Sequence, residues 1–80
     1  MSRARAVVDV IARQLVDHPD DVTIDLYEEG DEDVLELTAH PNDLGKLIGR
    51  RGRTASAIRS IAGLAARMDG RRSSVEFLDD

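Results

Sequence analysis

Seven consecutive residues, Leu47-Ile48-Gly49-Arg50-Arg51-Gly52-Arg53, hold the chemistry of this chain. They read I-G-x-x-G with both intervening positions basic, between two stretches of helical pattern. Two glycines three apart let the backbone turn tightly and present bare N–H groups, with no side chain in the way at Gly49 or Gly52. A helix beginning at Arg53 adds the positive end of its dipole at the same spot. Phosphate is the guest such a loop suits, with Arg50 and Arg51 meeting it from either side.

The net charge of −5 over 80 residues argues against nucleic acid only as a total. Residues 45–72 carry Lys46, Arg50, Arg51, Arg53, Arg59, Arg67, Arg71 and Arg72 against the single acid Asp69, a local charge of +7 that leaves −12 elsewhere. A basic footprint on an acidic chain is the pattern expected of a protein that grips a polyanion on one side.

Other chemistries lack their residues. A P-loop requires G-x-x-x-x-G-K-[ST], and Gly45-Lys46-Leu47 lacks both the earlier glycine and the hydroxyl residue after lysine. His18 and His40 sit beside prolines, and no spacing of His, Asp or Glu suggests a metal site. The pairs Asp20-Asp21 and Asp79-Asp80 could bind a cation weakly, but read first as solvated carboxylates. No enzyme activity and no cofactor are expected. The chain has no cysteine, so neither a disulfide nor a thiolate site can support the fold. No apolar run approaches the roughly 18 residues of a membrane helix, and no secretory signal is apparent, so the expected location is the cytoplasm.

Eighty residues without linker, repeat or low-complexity run predict one domain spanning 1–80. From Ala4 to Val16, the residues Ala4, Val8, Ile11, Ala12 and Leu15 recur at helical steps, and Pro19 stops the helix. Val22, Ile24 and Leu26 alternate with polar residues up to Tyr27, and Leu35, Leu37 and Ala39 do so after Val34. The turn Glu29-Gly30-Asp31-Glu32 joins the two strands as a hairpin. His40-Pro41-Asn42-Asp43 breaks the strand, with Asp43 as candidate N-cap of a short helix to Ile48 that Gly49 ends. A longer helix from Arg53 to Met68 shows a stripe of Ala55, Ile58, Ile61, Ala62, Ala65 and Met68, closed by Asp69-Gly70. A last strand runs from Ser74 to Leu78. The order α-β-β-α-α-β predicts an α+β fold with a mixed three-stranded sheet and helices packed on one face. The two helices suit a right-handed crossover between parallel strands, while the strand order stays open.

The outward sheet positions are Thr23, Asp25, Tyr27, Glu36, Thr38, Ser74 and Glu76. They are acidic and hold one ring, so base stacking on the sheet is not expected. RNA would bind on the helical side. Gly63 interrupts the long helix at roughly 1 kcal/mol relative to alanine, read as close packing against a neighbour.

With the loop in this setting, the chain resembles a K-homology (KH) domain of the type II arrangement, and within it the small stand-alone bacterial KH proteins of the KhpA type. The resemblance runs over nearly the whole chain and rests on the signature from His40 to Thr54, above all Gly45-Lys46-Leu47-Ile48-Gly49-Arg50-Arg51-Gly52-Arg53. It implies a domain that clamps about four nucleotides of single-stranded nucleic acid. Carried onto this chain, Gly49, Arg50, Arg51 and Gly52 hold phosphates. Leu44, Ile48 and Ile58 form an apolar floor for bases, and Lys46 and Arg53 add charge at the groove edges. Family members often have lysine or glutamine at the two loop positions, and arginine's fork suits phosphate at least as well. The acidic turn at residues 29–33 corresponds to a variable loop near the groove, where it would repel further phosphates.

The function expected is single-stranded RNA binding, as a post-transcriptional regulator or RNA chaperone. The alternative is a protein-interaction module that uses the KH fold for assembly with little RNA binding. The resemblance implies homodimers and a larger KH partner of the Jag/KhpB type. In the long helix, Ala57, Gly63, Leu64 and Ala66 extend the small and apolar surface, and a face bearing Gly63 and Ala66 would admit a second copy.

Overall fold

The structure, a computed structural model, describes residues 2–79. Met1 and Asp80 lie outside them, so only the first residue of the Asp79-Asp80 pair is described. The elements run α1 (Arg3–Leu15), β1 (Thr23–Glu29), β2 (Glu32–Thr38), α2 (Leu44–Ile48), α3 (Arg53–Met68) and β3 (Arg72–Phe77). Short 3₁₀ turns at Pro19–Asp21 and Arg50–Gly52 precede β1 and α3.

The boundaries follow from local chemistry. The Ser2 hydroxyl caps α1 by accepting from the Arg5 N–H at 3.1 Å, one residue earlier than the apolar periodicity suggests. That helix ends at Leu15, ahead of Pro19, which opens the 3₁₀ turn instead. The hairpin is tighter than expected: Glu29 pairs with Glu32, leaving Gly30 and Asp31 as a two-residue loop. Gly30 has φ +59°, the sign a II′-type hairpin needs at its first central position. Gly70 ends α3 with φ +72°, and bonds from Gly70 to Arg67 and from Arg71 to Ala66, each 2.9 Å, close the turn.

The sheet has order β1-β2-β3, with β1 antiparallel and β3 parallel to the central strand. The parallel pair is the one joined through α2 and α3, as the crossover argument requires. α1 packs against α3 and β1, and α3 against β3. Between them lies a core of Ala4, Val8 and Ala12 from α1, Ile24, Leu35, Leu37 and Val75 from the sheet, Leu47 from α2, and Ile58, Ala62 and Ala66 from α3. Alanine at so many helical core positions lets the helices lie close to each other and to the sheet.

α3 is rotated from the expected stripe. Ile61 and Met68, assigned inward from the sequence, are 38% and 72% exposed, whereas Ala66, assigned outward, is fully buried. The buried set Ala55, Ile58, Ala62, Ala66 follows a strict three- and four-residue rhythm. Nothing stands within 4 Å of a β-carbon built on Gly63, so this glycine does not mark the close packing expected of it.

The acidic turn is also elsewhere than expected. The Arg72 N–H donates to the Asp31 carbonyl at 2.9 Å, which places the turn where β3 begins, after the C-terminal end of α3. The loop lies at the other end, and sixteen residues of helix span about 24 Å. The turn therefore cannot crowd a ligand on the loop. There, the buried Asp33 carboxylate accepts from the Ser2 hydroxyl (3.0 Å) and from Arg71 Nε (2.6 Å), and Arg71 also reaches the carbonyls of Gly30 and Glu32. Asp33 thereby ties the start of α1 and the start of β3 to the hairpin. Asp33→Ala should lower the unfolding free energy in urea by about 2–4 kcal/mol, since it leaves two donors without their acceptor. Asp31→Ala, at the exposed pair with Arg72, should leave it unchanged within error.

Candidate nucleic-acid interface

α2 is only five residues long and Gly49 ends it, its N–H donating back to the Gly45 carbonyl at 2.8 Å. Gly49 has φ +75° and ψ 172°, a conformation for glycine. A β-carbon there would fall on the side chain of Thr54 and 2.9 Å from its backbone nitrogen. The chain then makes one 3₁₀ turn. Arg51 adopts left-handed values (φ 59°, ψ 25°), and Gly52 follows at φ +71°. A non-glycine residue there costs of order 1 kcal/mol, held in place by the turn around it.

The donors the loop offers are not those of the glycines. The Gly49 N–H is bonded to Gly45, the Gly52 N–H to the Gly49 carbonyl at 3.1 Å, and the Arg53 N–H to Arg50. Among the described residues, the N–H groups of Arg50 and Arg51 have no internal acceptor, and no side chain caps the start of α3. Two open N–H groups, an uncapped helix start and three exposed arginines are an anion site in outline.

The basic segment sorts into two parts. Arg71 and Arg72 are paired with Asp33 and Asp31. Arg59 donates to the Val75 carbonyl and lies 5.1 Å from the centre of the Phe77 ring. Lys46 contacts Asp17 at 2.7 Å and Asp43 at 3.4 Å, and the Asp17 carboxylate raises its pKa. Arg50, Arg51 and Arg53 are exposed and, among the described residues, make no side-chain hydrogen bond or ion pair. Arg67, also exposed and without a side-chain partner among the described residues, stands in the last turn of α3, so the footprint at the loop is three arginines rather than a charged face from 45 to 72.

Of the expected floor, Leu44 and Ile48 are half-buried and reach the surface of α2, whereas Ile58 is 2% exposed and belongs to the core, supporting the surface from beneath. Asp43 is not the side-chain cap it resembles in sequence. Its carbonyl opens α2, but its carboxylate makes no cap bond and is fully buried, accepting from the His18 N–H and ring Nδ1, both at 2.9 Å. Sequence reasoning missed this link and the contact of Thr54 with Gly49, because each joins residues whose proximity the fold decides. A shallow cavity of about 420 Å³ lies on the opposite, outward sheet face, where Glu29, Glu32, Glu36 and Glu76 would repel phosphate.

With this loop and topology in place, comparison with known proteins is direct. A model of the KH domain of KhpA and KhpB matches residues 5–77. The chain belongs to the KhpA/KhpB KH-domain family. It is 44% identical over 75 residues to a Halalkalibacterium halodurans protein named RNA-binding protein KhpA, covering 94% of this chain and 99% of that one. A protein of the same name from Mycobacterium tuberculosis is 44% identical over 72 residues, 90% of this chain and 86% of its own. One from Borreliella burgdorferi is 41% identical over 73 residues, 91% and 89%. Among solved structures, a variant of Era from Aquifex aeolicus superposes with a TM-score of 0.66 at 22% identity, over 94% of this chain and 30% of that one. That likeness concerns the fold alone. The α+β architecture with its mixed sheet is that of a type II KH domain.

The family's two glycines stand here under unequal constraint. Gly49→Ala meets both a positive φ and Thr54, while Gly52→Ala meets a positive φ alone, with nothing within 4 Å. Gly52→Ala should cost about 1 kcal/mol in urea unfolding and Gly49→Ala clearly more. A second expectation concerns Asp43. Burial pushes its carboxyl up, but the His18 ring and N–H and the Lys46 ammonium outweigh burial and hold it at about 2. Its contribution to stability is complete above the unfolded value near 4 and is lost as pH falls toward 2. Urea midpoints measured across that window should fall more steeply for the parent than for Asp43→Asn.

Proposed function

We propose that this chain is a single-stranded RNA-binding module, one KH unit across residues 1–80. In this reading Gly49, Arg50, Arg51, Gly52 and Arg53 hold the backbone phosphates, Leu44 and Ile48 underlie the bases with Ile58 behind them, and Lys46 stands at the groove edge. The observation that carries it is the loop: open N–H groups on Arg50 and Arg51, with three arginines beside them that no acid of the described chain neutralises. The names of the relatives support RNA as the ligand. The module acts without catalysis or cofactor, in the cytoplasm, as a post-transcriptional regulator or RNA chaperone. No helix among the described residues is long and apolar enough to cross a membrane.

Arg50→Asp with Arg51→Asp reverses the charge at exposed positions and should leave the fold intact. Affinity for a short single-stranded oligoribonucleotide should fall by more than tenfold in fluorescence anisotropy. Unchanged affinity in a folded double variant contradicts the site. For about three phosphate contacts, log affinity should fall with log salt at a slope near −2.

A second reading, assembly, rests on α3. Ala57, Ile61, Leu64 and Met68 are all exposed, Leu64 by 59% and Met68 by 72%, and recur at steps of four, three and four. That is the rhythm of a two-helix seam. This line replaces the face through Gly63 and Ala66, since Ala66 is in the core. It suits a second copy or a larger KH partner of the Jag/KhpB type, and pairing would give two loops for one RNA. In sedimentation at micromolar concentration the parent should run as a dimer and Leu64→Asp as a monomer. A monomeric parent would remove the homodimer.

A further inference from the structure

We propose that Asp43 is a positioning residue for the phosphate-gripping loop: its buried carboxylate, clasped by His18, sets the direction in which α2 delivers Arg50 and Arg51. This rests on the RNA-binding reading above and names a residue that touches no RNA.

Five residues of helix do not hold themselves in water. Two things fix α2: the fully buried side chain of Leu47, and Asp43 at its start. The Asp43 main chain belongs to the helix, its carbonyl accepting from the N–H groups of Lys46 (2.9 Å) and Leu47 (3.4 Å). Its side chain belongs to another part of the molecule. One carboxylate oxygen takes both the backbone N–H and the ring Nδ1 of His18, in the link between α1 and β1. The other takes Lys46 Nζ from the same face of α2, and Lys46 continues to Asp17. His40 closes the cluster from the chain before α2, its ring stacked on His18 at 3.9 Å and 13°. The His40 Nδ1 accepts from the Asn42 N–H, and the His40 carbonyl from the Asp43 N–H at 2.8 Å. A helix start that could have been capped locally is thus bolted to a segment 25 residues away.

Past that bolt there is no slack. Gly49 is held to Gly45 and has Thr54 against its α-carbon, so a tilt of α2 at Asp43 reappears at Arg50 and Arg51. An arginine fork and open N–H groups must meet the same phosphate, so a small reorientation breaks one contact to keep the other.

The sign of one substitution separates this from plainer roles. Asp43→Leu nearly preserves shape, leaves the His18 ring and N–H without their acceptor oxygen and removes a negative charge on the RNA-binding side, so electrostatics alone makes RNA bind tighter. A purely structural role lowers the melting temperature and, at a temperature well below it, leaves affinity and salt slope unchanged. Positioning makes affinity weaker, by about tenfold, and the salt slope shallower by about one phosphate contact, 0.7 in the exponent. The measurement is anisotropy of the full chain with a labelled single-stranded oligoribonucleotide over a salt series. His18→Ala should reproduce the loss, and His18→Asn, whose amide nitrogen takes the place of Nδ1, should restore binding. If Asp43→Leu does not fold, the His18 pair decides alone. Parental affinity and slope in the folded Asp43→Leu, or in His18→Ala, overturns the proposal. The double Arg50, Arg51 variant runs beside them: unchanged binding there refutes the loop reading itself, whereas loss there with intact binding by Asp43→Leu refutes only the clasp.

Discussion

Everything that fits the loop to an anion depends on one steric constraint, the reversal of the chain at Gly49. The backbone leaves α2 and enters α3 within a single 3₁₀ turn, and Gly49 lies against Thr54 to do so. Only a residue without a β-carbon fits there at φ +75°. Once that turn is made, the rest follows in sequence. Gly52 bonds back to Gly49, Arg51 is held left-handed, no side chain caps α3, and among the described residues the N–H groups of Arg50 and Arg51 have no internal acceptor. The loop's charge is added to a backbone already shaped for an anion.

A second physical theme is separation of charge. The chain is acidic overall, yet many of its described acids are paired or set on the sheet face away from the loop. Asp25, Glu36 and Glu76 stand in one row across the outward sheet face. Asp31 and Asp33 neutralise Arg71 and Arg72 beyond the far end of α3. Asp17 and Asp43 hold Lys46. Among the described residues, what remains unneutralised near the loop is Arg50, Arg51 and Arg53. A polyanion approaching from the sheet side is repelled and from the loop side attracted, which orients the encounter before contact.

Much of this was legible in the sequence because it is local. Glycine spacing, the apolar rhythm of two helices and the alternation of the strands are read over windows of a few residues, and the element order with its mixed sheet followed from them. What was missed is long-range. The rotation of α3, which exposes Ile61 and Met68 and buries Ala66, is decided by the packing of α1 and the sheet against it. The fate of Arg71 and the burial of Asp43 depend on partners 38 and 25 residues away. Asp43 does stand at the start of α2, as an aspartate before a short apolar helix signals, but only the fold reveals that His18 has claimed its carboxylate.

The central claim is that RNA meets this protein at the turn between α2 and α3. Backbone amide shifts recorded while a short single-stranded oligoribonucleotide is titrated in test it most directly. The account predicts that the largest changes fall on residues 44–54, led by the N–H groups of Arg50 and Arg51, with the outward sheet face silent. Changes centred on Asp25, Tyr27, Glu36 and Glu76, with the loop unmoved, would contradict it.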